Sequence, residues 1–241
     1  MGVAERTTFR AIETLDKLGV KHAVSGMIAG AVYGHIRVTA DVDIVVHVSE
    51  EEWENVIKEF VKGGFILRGE DFHKLGIATL KTSECFGVDL IREDDREVFE
   101  RVKQIEYHGK KIPFVSLEDL IVFKLRFRRG KDIYDLRALL EINAAKIDWG
   151  YLERKVREPE ERELLERLRR GDSGDADPEG TAARVLSRGE VKILYHPSLV
   201  AKGFTPLSAR LRYSQWISSA ISKFCSIDST RPRFLTCVFF P

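Results

Sequence analysis

The sequence predicts an α/β fold of the α+β kind, a short mixed sheet flanked by helices and followed by a helical segment. Three observations predict it. The β-branched run Ile44, Val45, Val46 and Val48 is the strongest strand signal in the chain. Helix-period segments stand on either side of it, near the N-terminus and from about Glu50 to Lys62. From Ser116 to about Arg170 the pattern is helical throughout.

The elements follow in order. Phe9, Ile12, Leu15 and Leu18 recur at helical spacing, so a helix is expected from about Val3 to Leu18, stopped by Gly19. Lys21 to Ser25 reads as a short strand. The small, apolar segment SGMIAGAVYG then suits a helix packed closely on a sheet, and DVDIVVHV is the central strand. Trp53, Val56, Ile57 and Phe60 form the apolar face of the next helix, which Gly63 and Gly64 end. Two or three strands are expected around FILR, IATLKT and CFGVDLI. A short helix and a further strand or loop lead from Asp94 to Pro113. Ser116 can cap a helix to about Arg128 with Asp119 reaching back. Gly130 breaks that helix, DIYDLRALLE forms another, and two charged helical stretches complete the series.

Domain boundaries follow the same changes of character. Residues 1–115 read as the sheet-bearing domain and 116–171 as a helical segment packing on or beside it. Residues 172–241 are a linker, GDSGDADPEG, and a tail with no periodicity to assign. Charge density marks the last boundary, because about 15 of the last 70 residues are charged against about 62 of the first 171.

Composition narrows the function. Hydrophobic residues at 44% allow a real core, and a net charge of +1 provides no global field toward nucleic acid or membrane. Cys85, Cys225 and Cys237 are odd in number and match no zinc spacing, which argues against a disulfide framework and fits a reducing compartment. No run approaches a membrane span and MGVAERTTFR has no apolar signal core, so a cytoplasmic setting without membrane contact is expected. His22, His35, His47, His73, His108 and His196 show no metal-binding spacing and read as ordinary histidines.

Chemistry concentrates in the carboxylates. Asp41 and Asp43 stand two apart at the head of a strand, so both project from one face. Asp89 lies in GVDLI, a second expected strand. If the two strands are neighbours, three carboxylates converge, an arrangement that cations must neutralise. Mg²⁺ (or Mn²⁺), which takes carboxylate oxygens together with substrate phosphates, fits this donor set. A bare D-x-D is also common at turns and strand ends.

The segment VSGMIAGAVYGHIRVTADVDIVV resembles the signature of the nucleotidyltransferase superfamily, and most closely its small prokaryotic stand-alone members, including toxin and antitoxin types. Gly26, Gly34, Arg37, Thr39, Asp41 and Asp43 stand at that family's spacing, and Asp89 looks like its third carboxylate. SLEDLIVFKLRFRRGKDIYDLRALLE is similar to its later motif, and the resemblance spans residues 4 to 145. It implies that Asp41, Asp43 and Asp89 are catalytic and hold metal, and that Ser25, Gly26, Arg37, Thr39 and Lys124 bind nucleotide. It implies transfer of a nucleoside monophosphate from a nucleoside triphosphate such as ATP to a hydroxyl of RNA or protein, with a toxin–antitoxin partner protein. Met27 departs from the pattern, standing where many members carry a second glycine or a serine. That departure motivates an alternative, a catalytically weak binding module such as an antitoxin. A sugar-nucleotide glycosyltransferase using D-x-D needs a much larger nucleotide fold. Asp132 reads as a helix cap, and the basic run LRFRRGK as a solvated helix face or a contact for RNA or triphosphate.

Overall fold

A computed structural model of the protein describes residues 2–37, 39–68, 76–84 and 86–171, with two short paired strands, Val185–Leu186 and Glu190–Val191. Cys85, Cys225, Cys237, His73 and His196 lie outside the described residues, as do the linker and nearly all of the tail.

The order is α1 (Val3–Lys17), β1 (Lys21–Ser25), α2 (Gly26–Val32), β2 (Asp41–His47), α3 (Glu50–Lys62), β3 (Ile66–Arg68), β4 (Ile77–Lys81) and β5 (Gly87–Arg92). Then follow α4 (Arg96–Glu100), β6 (Lys103–Tyr107), β7 (Lys110–Phe114), α5 (Leu117–Phe127), α6 (Gly130–Asn143), α7 (Trp149–Lys155) and α8 (Pro159–Arg169). Seven strands form one mixed sheet in the order β3-β4-β5-β2-β1-β7-β6. The pairs β2/β5 and β1/β7 are parallel, and the others antiparallel. The α/β expectation with a short mixed sheet and a following helical segment therefore describes the architecture.

Local chemistry explains the elements. In α1 the buried Phe9, Ile12 and Leu15 face the sheet, and Gly19 at φ 67 turns the chain away. A capping box opens α3: Ser49 Oγ accepts from the Glu52 amide at 3.2 Å while the Ser49 amide donates to Glu52 Oε2 at 2.8 Å. In β2, Val42, Ile44, Val45 and Val46 are fully buried at the sheet centre. Ser116 caps α5, accepting from the Asp119 amide at 3.1 Å. Its hydroxyl also donates to Asp119 Oδ2 at 2.5 Å, so Asp119 reaches the Ser116 side chain.

The stretch between Asp94 and Pro113 holds more than one strand or loop. It contains α4 and a complete hairpin, β6–β7, which joins the sheet through Val24 opposite Phe114. Helix α5 is buried nearly all round, from Leu117 to Leu125, because α2, α6, α7 and α8 all pack on it. One hydrophobic cluster includes Leu15, Ile44 and Leu90 of the sheet side and Leu120, Leu136 and Leu165 of the later helices. Among the described residues no helix is long and apolar enough to cross a membrane.

Candidate functional site

The sheet aligns the acidic residues. In the parallel pair β2/β5, Asp43 stands opposite Asp89. In the antiparallel pair β1/β2, Asp43 also stands opposite Ser25, and Thr79 of β4 stands opposite Asp89. Paired residues on neighbouring strands share a face. Thr79, Asp89, Asp43 and Ser25 are thus one transverse row over four adjacent strands, and Asp41, two residues before Asp43, shares its face. The face is partly open, because Asp41, Asp43 and Asp89 are intermediate in exposure while Val42, Val88 and Leu90 beside them are fully buried.

Two glycines make room for the row. Gly26 adopts φ +63, and a Cβ built on it would fall 1.7 Å from Asp43 Oδ2. Only a residue without a side chain lets the β1–α2 turn lie directly against that carboxylate. A Cβ on Gly87 would stand 3.1 Å from the Asp41 Cβ. Thr39 Oγ1 donates to Asp41 Oδ1 at 2.7 Å, which orients the first carboxylate.

Electrostatics mark the row as short of positive charge. Burial, then the charges of Asp41 and Asp89, push the Asp43 carboxyl up to about 7, with Lys124 and Lys131 opposing. Burial likewise raises Asp89, against a hydrogen bond from Thr79, and Asp41 adds to the rise. Lys131 and Arg129, from the basic run that leads into α6, oppose the rise at Asp89. Asp89 Oδ1 is buried and has no hydrogen-bond partner.

The donor set suits a hard divalent cation. It consists wholly of oxygens, it carries excess negative charge, and one buried oxygen is left without a partner. Among the described residues no three His, Cys, Asp or Glu side chains stand arranged to hold a metal ion outright.

The other expected site residues divide. Ser25 and Gly26 lie at the row. Met27 is buried, with its Cε 2.5 Å from where a Cβ on Gly30 would stand, so its side chain packs against α2 itself. Arg37 and Lys124 are brought together on Asp135, a residue that sequence reasoning passed over. Arg37 Nε and Nη2 meet Asp135 at 2.8 and 3.0 Å, and Lys124 Nζ meets it at 2.6 Å. His35, read as an ordinary histidine, holds Asp135 through Nε2 at 2.8 Å and is 2% exposed. The available signal was a carboxylate on the apolar face of α6, one residue before Leu136. Asp132 sits three residues inside the N-cap of α6, accepting from the Arg129 amide at 3.3 Å and from Arg129 Nε at 2.6 Å.

A strand, a glycine turn, a short helix, an aspartate pair opening the next strand and a third carboxylate beside it are now all in place. The fold thus has the parts that the resemblance to nucleotidyltransferases implied. No family model matches the chain, and no curated protein matches it. Among solved structures it is similar to the lincosamide antibiotic adenylyltransferase LnuA bound to lincomycin, at 19% identity over 59% of this chain and 99% of that one, TM-score 0.43. A nucleotidyltransferase-like protein from Paracoccidioides brasiliensis is 19% identical over 71% of this chain and 90% of that one, TM-score 0.46. The antibiotic-resistance factor ANT(2″)-Ia is 13% identical over 71% and 94%, TM-score 0.47.

Proposed function

We propose that the chain is a metal-dependent nucleotidyltransferase, moving a nucleoside monophosphate from a nucleoside triphosphate to an acceptor hydroxyl and releasing pyrophosphate. The observation that carries this reading is the transverse row of Ser25, Asp43 and Asp89, with Asp41 on the same face and Gly26 kept bare against Asp43. Asp41, Asp43 and Asp89 are the residues that would hold Mg²⁺ or Mn²⁺. Such an ion, when bound, supplies charge neutralisation at the phosphates and lowers the pKa of the attacking hydroxyl.

The chain's own groups have separate tasks. Ser25 and the Gly26 turn receive the polyphosphate beside Asp43. Thr39 fixes the orientation of Asp41. Asp89, across the strand pair from Asp43, takes the hydroxyl proton through its carboxylate. The acceptor oxygen bonds to the α-phosphorus, the bond from that phosphorus to the bridging oxygen breaks, and pyrophosphate leaves. Lys131 and Arg129 lie on the approach and offset the incoming negative charge. RNA or protein as the acceptor, and a toxin–antitoxin partner, belong to the proposal through the family resemblance.

Incubation with each α-labelled nucleoside triphosphate, Mg²⁺ or Mn²⁺, and either cell RNA or lysate protein tests it. Asp43→Asn is expected to lower label transfer at least about a hundred-fold with an unchanged circular dichroism spectrum. Asp89→Asn is expected to slow turnover more than it weakens nucleotide binding. Full transfer by Asp43→Asn would refute the assignment. Nucleotide binding without metal dependence or transfer would favour a binding module.

A further inference from the structure

Asp135 is the most heavily engaged charged group outside the acidic row. Its side chain is 0% exposed and receives Lys124, both ends of the Arg37 fork and His35. Burial alone would raise its pKa, but the hydrogen bonds from His35 and Arg37 and the charges of Lys124 and Arg37 hold it well below the usual carboxylate range. Lys124 is itself 4% exposed, lies 3.6 Å from Asp132 Oδ1, and acts electrostatically on Asp43. A buried ammonium requires a counter-charge. Lys124 has two within its influence, the Asp135–Asp132 pair and the acidic row, and it is directed at the first.

We propose that Asp135 is a positioning residue that keeps the Lys124 ammonium and the Arg37 guanidinium off the acidic row, leaving that row free for a divalent cation. This rests on the reading that Asp41, Asp43 and Asp89 hold a metal. The lysine stem is long and flexible, so an ammonium released from Asp135 can turn to Asp43, the member of the row on which its charge already acts. An internal cation there displaces an external one. Arg37 and His35 give the same carboxylate a second effect, because they fix the segment that ends in Thr39 and Asp41.

Mn²⁺ titration of the full chain without nucleotide, followed by electron paramagnetic resonance, tests the proposal. Asp43→Asn, Asp135→Asn, Lys124→Met and the double variant Asp135→Asn/Lys124→Met are compared with wild type. Asp135→Asn is expected to weaken Mn²⁺ binding about ten-fold, and the double variant to recover to within about three-fold of wild type. Asp135→Asn leaves buried cations short of counter-charge, so Lys124→Met supplies a result that does not depend on its folding. With Lys124 already parked on Asp135, that change is expected to leave Mn²⁺ affinity within about three-fold of wild type. A ten-fold tightening in Lys124→Met would show the ammonium competing for the row and overturn the proposal. Binding that is lost in Asp43→Asn yet unmoved in Asp135→Asn, or a double variant as weak as the single, overturns the positioning role alone. A wild-type chain that binds no Mn²⁺ overturns both it and the metal reading.

Discussion

Gly26 and the Asp43 carboxylate occupy one space, and a methyl group cannot share it. In Gly26→Ala the Cβ would stand 1.7 Å from Asp43 Oδ2, and alanine would also have to hold φ +63. The backbone strain is about 1–2 kcal/mol. The carboxylate must turn away as well, so activity is expected to fall further than stability does. Chemical denaturation should show a loss of about 1–3 kcal/mol, with transfer reduced at least about a hundred-fold. A variant that keeps wild-type transfer would mean that Asp43 acts from some other position. At this scale the three aspartates were legible, because D-x-D spacing and strand alternation determine which side chains share a face. Asp135 was not, because a helix interior offers the same letters for a cap, a surface charge and a buried hub. Which of these it is depends on Arg37 arriving from a distant part of the chain and on Lys124 of the preceding helix packing against α6.

Among the elements, helices and central strands were legible from periodicity, and the β6–β7 hairpin was not. Its turn is His108-Gly109, with φ of 49 and 74, the pair of positive values that a two-residue type I′ connection needs. Asn-Gly or Asp-Gly announces such a turn, whereas His-Gly does not. Pro113 further weakens the strand signal, since proline lacks a ladder donor. Its strand is tolerated inside the sheet because β1 registers with β7 at Val24 and Phe114 alone. The same geometry supplies a prediction. Asparagine enters the left-handed region more readily than histidine, so His108→Asn is expected to stabilise the protein by about 0.5 kcal/mol. The loose contact of His108 with Glu5 at 3.9 Å is exposed on the histidine side and offsets little of this. Thermal unfolding checks it, and a lower melting temperature would show that the Tyr107–His108 ring contact outweighs the backbone gain.

For the molecule as a whole, the acidic row and the Asp135 hub pull stability in opposite directions with pH. Asp43 is raised in the fold to about 7, so the folded chain binds a proton there that the unfolded chain has released. Its contribution is present below the ordinary carboxylate pKa and is lost as pH rises toward 7. Asp135 is depressed, so its contribution is present above the ordinary carboxylate pKa and is lost as the solution becomes more acid. A metal-free chain should therefore be most stable in mild acid and lose on the order of 2 kcal/mol between pH 5 and pH 8. Asp43→Asn has no charge to bury at that position and should flatten this fall. A divalent cation should flatten it too, because it stabilises the ionised row, and binding to the folded state alone adds stability with concentration. Denaturation at pH 5 and pH 8, with EDTA and with Mg²⁺, separates the effects. An EDTA-treated wild type no less stable at pH 8 than at pH 5 would mean that the row ionises without strain. The sheet would then carry no electrostatic demand for a cation, although its strands align three carboxylates on one face.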